Sequence, residues 1–114
     1  MMSDALVQLS GRCEAATGPS FELEREIADA VWRAKWGKRR PKDIAPQPCT
    51  SSLDAALMLV PEGAFWSITM RGERRGGYHA CCQLDGGLDW REAATPALAL
   101  TAAALRALAK EPTP

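Results

Sequence analysis

The chain has little of what most enzymatic and metal chemistry requires. It holds one histidine, His79, and one tyrosine, and no two of its four cysteines (Cys13, Cys49, Cys81, Cys82) stand in C-x-x-C spacing. A multi-histidine metal site is therefore excluded, and a zinc ribbon or dithiol redox motif has no support. No G-x-S-x-G elbow, Walker loop or paired-carboxylate pattern is present, so neither a catalytic residue nor a metal or cofactor is expected. Excess charge of either sign is also missing. Lys plus Arg number 14 and Asp plus Glu number 14, so no overall field draws the chain to nucleic acid or anionic lipid. Any such attraction must be local. No run approaches a membrane span, although Ala97 to Leu105 is strongly apolar, and the opening MMSDALVQLS shows no basic region followed by a long apolar one. The expectation is a cytoplasmic protein with no membrane partner and reduced cysteines.

What is present is a foldable composition: 46% of residues are hydrophobic and 25% charged, over 114 residues. One domain spanning 1–114 is the natural reading. Its organising stretch is WREAATPALALTAAALRALAK, from Trp90 to Lys110. Thr95 can cap a helix with Pro96 in its first turn, and Leu98, Ala102, Leu105 and Ala109 recur at helical spacing while Leu100, Ala104 and Leu108 fill the adjacent face. A helix that apolar must be covered widely. Lys110 suits its negative end, and Pro112 lies beyond as a stop, with 111–114 expected to fray.

Earlier in the chain, Ser3 can cap a first helix to about Ala16, with Leu6, Leu9 and Cys13 inward. Ser20 caps a second, on which Leu23, Ile27 and Val31 form the dry stripe and Glu22, Glu24, Arg25, Glu26 and Asp29 take the wet side. If this helix persists to Trp36, Trp32 and Trp36 share a side and pack on the core; if it stops near Ala34, Trp36 belongs to the following loop. The segment GKRRPKDIAPQPC, 37–49, is a basic, proline-rich loop, with an edge strand near Ile44 the most it can offer. Thr50, Ser51 and Ser52 then offer caps for a third helix, SLDAALMLV, burying Leu53, Leu57 and Val60, with Ser51 and Asp54 in a loose capping box. FWSITMR alternates Trp66, Ile68 and Met70 against Ser67 and Thr69. A glycine-bounded turn, 72–77, leads to GYHACCQL with Tyr78, Ala80, Cys82 and Leu84 on one side, so the pair predicts an antiparallel hairpin. A third strand is expected from Leu88 to Trp90 or near Ile44. The fold class is α+β: two to three antiparallel strands layered with about four helices.

SLDAALMLVPEG, the short hairpin opened by an aromatic pair and EAATPALALTAAALRAL together resemble the small phage and prophage proteins grouped as the phage ABA sandwich domain, and EAATGPSFELEREIADAV looks like a leading helix many of them carry. The similarity runs from about Cys13 to Leu108. It implies a layered fold of helices against a small antiparallel sheet and a phage or prophage origin, but no activity and no ligand set. The basic insert from Lys35 to Lys42 is longer than the family pattern, which makes it the candidate for what is particular to this chain.

That insert carries the one constellation suited to recognition. Arg33, Lys35, Lys38, Arg39, Arg40 and Lys42 fall within ten residues, interleaved with Trp32 and Trp36. Such a surface can bind phosphates and stack a ring, dock on an acidic protein, pair with the acidic face Glu22 to Asp29 of the same helix or of another copy, or simply be a solvated loop. Arg71, Arg74 and Arg75 at the hairpin turn join it if the fold brings them together. His79 and Cys81, about 7 Å apart along one strand face, are the most enzyme-like pair, with an ordinary strand histidine the simpler account. A homodimer is the further possibility, through the apolar last helix or a free sheet edge. The leading expectation is a non-catalytic phage accessory protein that blocks a host protein or complex, with inhibition of an antiviral defence system as its purpose. The alternatives are a sponge for a nucleotide-type signal and a nucleic-acid-associated regulatory protein.

Overall fold

A computed structural model describes residues 4–70, 77–83 and 90–110. It shows four helices and a three-stranded antiparallel sheet, an α+β fold: α1 (Asp4–Ala15), α2 (Phe21–Trp36), α3 (Leu53–Leu57), β1 (Phe65–Met70), β2 (Tyr78–Gln83), β3 (Trp90–Ala93) and α4 (Pro96–Lys110). Five expectations lie outside the described residues: the Ser3 cap, the turn over residues 72–76, the arginines 71, 74 and 75, the positions Leu84 and Leu88, and the end 111–114.

The carboxyl-terminal helix is the centre. The Thr95 hydroxyl accepts from the backbone N–H of Leu98 at 3.1 Å, which satisfies one of the donors a helix start leaves open. Twelve residues of α4 are buried, among them Leu98, Leu100, Leu105 and Leu108, each worth roughly 1.5–3 kcal/mol removed from water. The helix is covered all round. It lies over β2 and β3 on one side, while α1 and α3 pack against it from elsewhere. Its alanines let α1 approach closely enough for the buried Ser10 hydroxyl to donate to the Ala102 carbonyl at 2.8 Å. Arg106 Nε donates back to that hydroxyl at 3.2 Å. The last helix is thus buried within the chain's own fold over most of its surface.

The sheet order is β1-β2-β3, with Ile68 opposite Ala80 and Ala80 opposite Arg91. The third strand is supplied by Trp90–Ala93, not by Ile44, whose segment forms a turn with the Ile44 N–H bonded to Pro41 O at 3.1 Å. Gly77 has φ +90°, and a Cβ there would sit 2.7 Å from the Ala93 carbonyl oxygen, so the approach of the chain to β3 requires glycine. Strand periodicity puts Tyr78, Ala80 and Cys82 on the α4 side, as expected. On β1 only Ile68 joins the core, whereas Trp66 and Met70 on the same face remain exposed, Met70 by 74%. The cause is position: α4 sits over the other two strands and barely reaches this edge.

Three further corrections concern the helices. α3 stops after five residues and buries Ala55 and Ala56, while Leu53 is exposed and Leu57 and Val60 are half-buried. Of the three caps on offer Ser52 serves, its hydroxyl accepting from Ala55 N; the Ser51 hydroxyl donates to Pro48 O, so the capping box with Asp54 is not formed from it. α2 does run to Trp36, ending on Gly37 in the left-handed conformation with its N–H bonded to Arg33 O. Trp36 nevertheless stays 62% exposed and only Trp32 is partly covered. Glu24, expected on the wet side, is buried.

Candidate functional site

The burial of Glu24 explains how the proline-rich loop is held. Its Oε2 accepts from the Thr50 backbone N–H at 3.1 Å and from the Thr50 hydroxyl at 2.6 Å, and that hydroxyl in turn accepts from Ser20 N at 2.9 Å. Ser20 is the α2 cap, its own hydroxyl accepting from Leu23 N. One residue earlier, the Cys49 carbonyl accepts from the buried Thr101 hydroxyl of α4 at 2.8 Å. The end of the loop is therefore anchored to both helices. Its middle is held by Arg40, whose Nε donates to Asp29 Oδ1 at 2.8 Å and whose Nη1 donates to the Ile44 carbonyl. Only 14% of the Arg40 side chain is exposed. This arginine is consumed in fastening the loop, and the expected pairing of the basic run with the acidic face of α2 is realised at this contact.

Two concavities flank the end of α2. The first is an open groove of about 720 Å³ between α1, α2 and the loop. Five cations line it, Arg12, Arg33, Arg39, Arg40 and Lys42, against two carboxylates, Glu26 and Asp29. Arg12 pairs with Glu26 at 2.5 Å and Arg40 with Asp29, so both carboxylates are taken. Arg33, Arg39 and Lys42 have no ion pair among the described residues, and the groove keeps a surplus of three positive charges.

The second is a pocket of about 290 Å³ lined by Trp32, Trp36, Ile27, Val31, Ile44, Met58 and Leu59, with Glu24, Lys35 and Arg40 as its charged members. The two indoles are tilted by 49° with centroids 6.0 Å apart. Trp32 Nε1 is buried with no hydrogen-bond partner. An unanswered buried donor costs about 1–3 kcal/mol.

The structure therefore divides the predicted patch. Arg33, Arg39, Arg40 and Lys42 converge on the groove, Trp32, Lys35, Trp36 and Arg40 on the pocket, and the exposed Lys38 lines neither. Arg71, Arg74 and Arg75 lie outside the described residues. The sequence reading missed Arg12 as a groove residue and Met58 as a pocket residue, while Glu26 and Asp29 belong to the acidic face it set against the basic run. Arg12 is the basic residue of the last turn of α1, but only the packing of α1 beside α2 sets it opposite Glu26.

The remaining candidates fall on the outer sheet face, where no helix packs among the described residues. His79 Nε2 donates to Glu92 Oε1 at 2.9 Å, across the β2–β3 pair. Cys81 is inaccessible to solvent, and burial raises its thiol above the ordinary range. A thiol held protonated is a weak nucleophile. Cys13 and Cys49 are buried too; loss of hydration pushes Cys13 up to about 12 and Cys49 to about 11, helped in each case by a nearby negative group. Among the described residues there is no cluster of metal-binding side chains, and no helix is long and apolar enough to cross a membrane.

The chain matches no family model, no curated protein and no solved structure, so the resemblance to the phage ABA sandwich domain rests on the segments that carry it in the sequence.

Proposed function

We propose that the protein is a non-catalytic binding protein that captures a macromolecule with an acidic surface, using the groove between α1, α2 and the proline-rich loop. The observation that carries this reading is the surplus of Arg33, Arg39 and Lys42: three cations on one concave surface, with the neighbouring carboxylates already engaged. Because the chain is neutral overall, this local field is its strongest means of selecting a partner. The anchoring of the loop at Arg40 and Thr50 supports the same reading, since a surface ordered in advance loses less entropy on binding. The protonated, inaccessible Cys81 supports a non-catalytic role.

The family resemblance supports a phage or prophage setting, action in the bacterial cytoplasm, and a component of the host's antiviral defence as the partner that is blocked. Arg39→Glu with Lys42→Glu tests the contact surface. Wild-type protein should retain a partner from extracts of infected cells, identified by mass spectrometry, and the double variant should lose it while melting at the wild-type temperature. Undiminished capture by the variant removes the groove from the reading. Retention of DNA or RNA that collapses steeply with added salt would instead favour the nucleic-acid alternative.

A further inference from the structure

We propose that the tryptophan-lined pocket on the other flank of α2 is a small-molecule site for a planar heteroaromatic anion of the nucleoside monophosphate class. This goes beyond macromolecule capture and does not depend on it. Three features select the ligand. The volume of about 290 Å³ lies at the lower edge of the range for small-molecule pockets, roughly 300–1,000 Å³, and is too small for a folded partner. Trp32 and Trp36 provide aromatic area, and the largely exposed Trp36 gives a flat ring a surface on which to stack. The Trp32 N–H is buried without an acceptor, and a ring nitrogen or carbonyl in the pocket answers it only if the indole turns to present it, which a hydrocarbon gives no reason to do.

Charge sets the orientation. Lys35 lines the pocket beside the two indoles and has no ion pair among the described residues, whereas Glu24 lies eleven positions earlier, about 16 Å along the helix at its rise per residue. An anionic substituent is drawn to the Lys35 end and repelled from the Glu24 end. Arg40, also in the wall, is already bound to Asp29 and to the Ile44 carbonyl, so it shapes the pocket without being free to move onto the ligand.

The test is titration of the intact protein with the four common ribonucleoside monophosphates, following the Trp32 indole N–H resonance and calorimetry. Adenosine without phosphate and inorganic phosphate without a ring serve as partial probes. At least one monophosphate should move the Trp32 resonance, with inorganic phosphate alone leaving it in place. Trp32→Phe, which keeps a ring and removes the donor, should weaken binding about tenfold, as expected for one lost hydrogen bond. Lys35→Gln should weaken the monophosphate while leaving adenosine unchanged. Arg39→Glu with Lys42→Glu should leave the monophosphate affinity intact, which separates this site from the groove. The proposal is overturned if no monophosphate shifts the resonance at millimolar concentration, if phosphate alone binds as well, or if binding survives Trp32→Phe and Trp36→Ala unchanged in variants that melt like the wild type.

Discussion

α2 and α4 are nearly the same length and both begin at a side-chain cap, yet they are used in opposite ways. α4 buries twelve of its 15 residues, whereas α2 buries four of its 16. In α4 the amphipathic contrast is almost gone because covering elements surround it. In α2 the buried stripe ends at Val31, and the last turn turns its indoles and cations to the two concavities. The difference teaches that one helix fixes the fold and the other carries surface chemistry that the fold does not consume.

The sharpest way to break this contrast is to truncate one apolar residue from each helix. Leu105→Ala in α4 should cost about 2–5 kcal/mol, through lost burial and the cavity left behind. Trp36→Ala in α2, at a largely exposed position, should stay within about 0.5 kcal/mol. Urea unfolding measures both. Equal losses would mean that the end of α2 belongs to the core after all.

The next largest effect is expected where the two regions meet. Glu24→Ala leaves the Thr50 N–H and hydroxyl without their buried acceptor, and the expected loss is about 1–3 kcal/mol by chemical denaturation. A smaller value would mean that water reaches Thr50 and that the loop is anchored through Cys49 and Thr101 alone.

The buried thiols give the same junction a pH dependence. Each has a folded-state pKa raised above its ordinary 9.0, so its contribution is fully present below about pH 9. Above that the unfolded chain gives up the proton while the folded one keeps it, and stability falls with pH until about 11 for Cys49 and about 12 for Cys13. Each thiol adds a slope of at most about 1.4 kcal/mol per pH unit. Urea midpoints between pH 9 and 10.5 should therefore fall less steeply for Cys13→Ala than for wild type. Parallel slopes would show that Cys13 ionises freely in the fold.

How far the sequence could be read follows from the range of the interactions. The Ser20 and Thr95 caps, the Leu23, Ile27, Val31 stripe and the alternation on β2 are set by neighbours two to four positions away, and the structure reproduces each. Glu24 stands three positions before Ile27, at the margin of that stripe, but a carboxylate is read as wet until its partner is known, and Thr50 lies 26 residues further on. Trp66 and Met70 had the right alternation and failed because strand periodicity does not say which strand will be the edge. In the candidate site the clustering of charge was visible at once. Its division into a groove and a pocket was not, because adjacent residues on the loop and on α2 point to different sides.

Arg39 and Arg40 make that division testable at the smallest scale. They are neighbours of identical chemistry, and composition gives no reason to separate them. Arg40 holds Asp29 and the Ile44 carbonyl; Arg39 has no ion pair among the described residues. An ion pair whose carboxylate is half exposed to water is worth at most about 1 kcal/mol, because solvent and salt screen it. Arg40→Gln should therefore lower stability by less than that, but it should speed hydrogen exchange at the Ile44 amide, whose bond to Pro41 depends on the loop keeping its shape. Arg39→Gln should change neither quantity, and its effect should appear only in partner capture. If both variants leave the Ile44 amide equally protected, the anchors at Cys49 and Thr50 suffice to order the loop, and Arg40 becomes a fourth cation available to the groove.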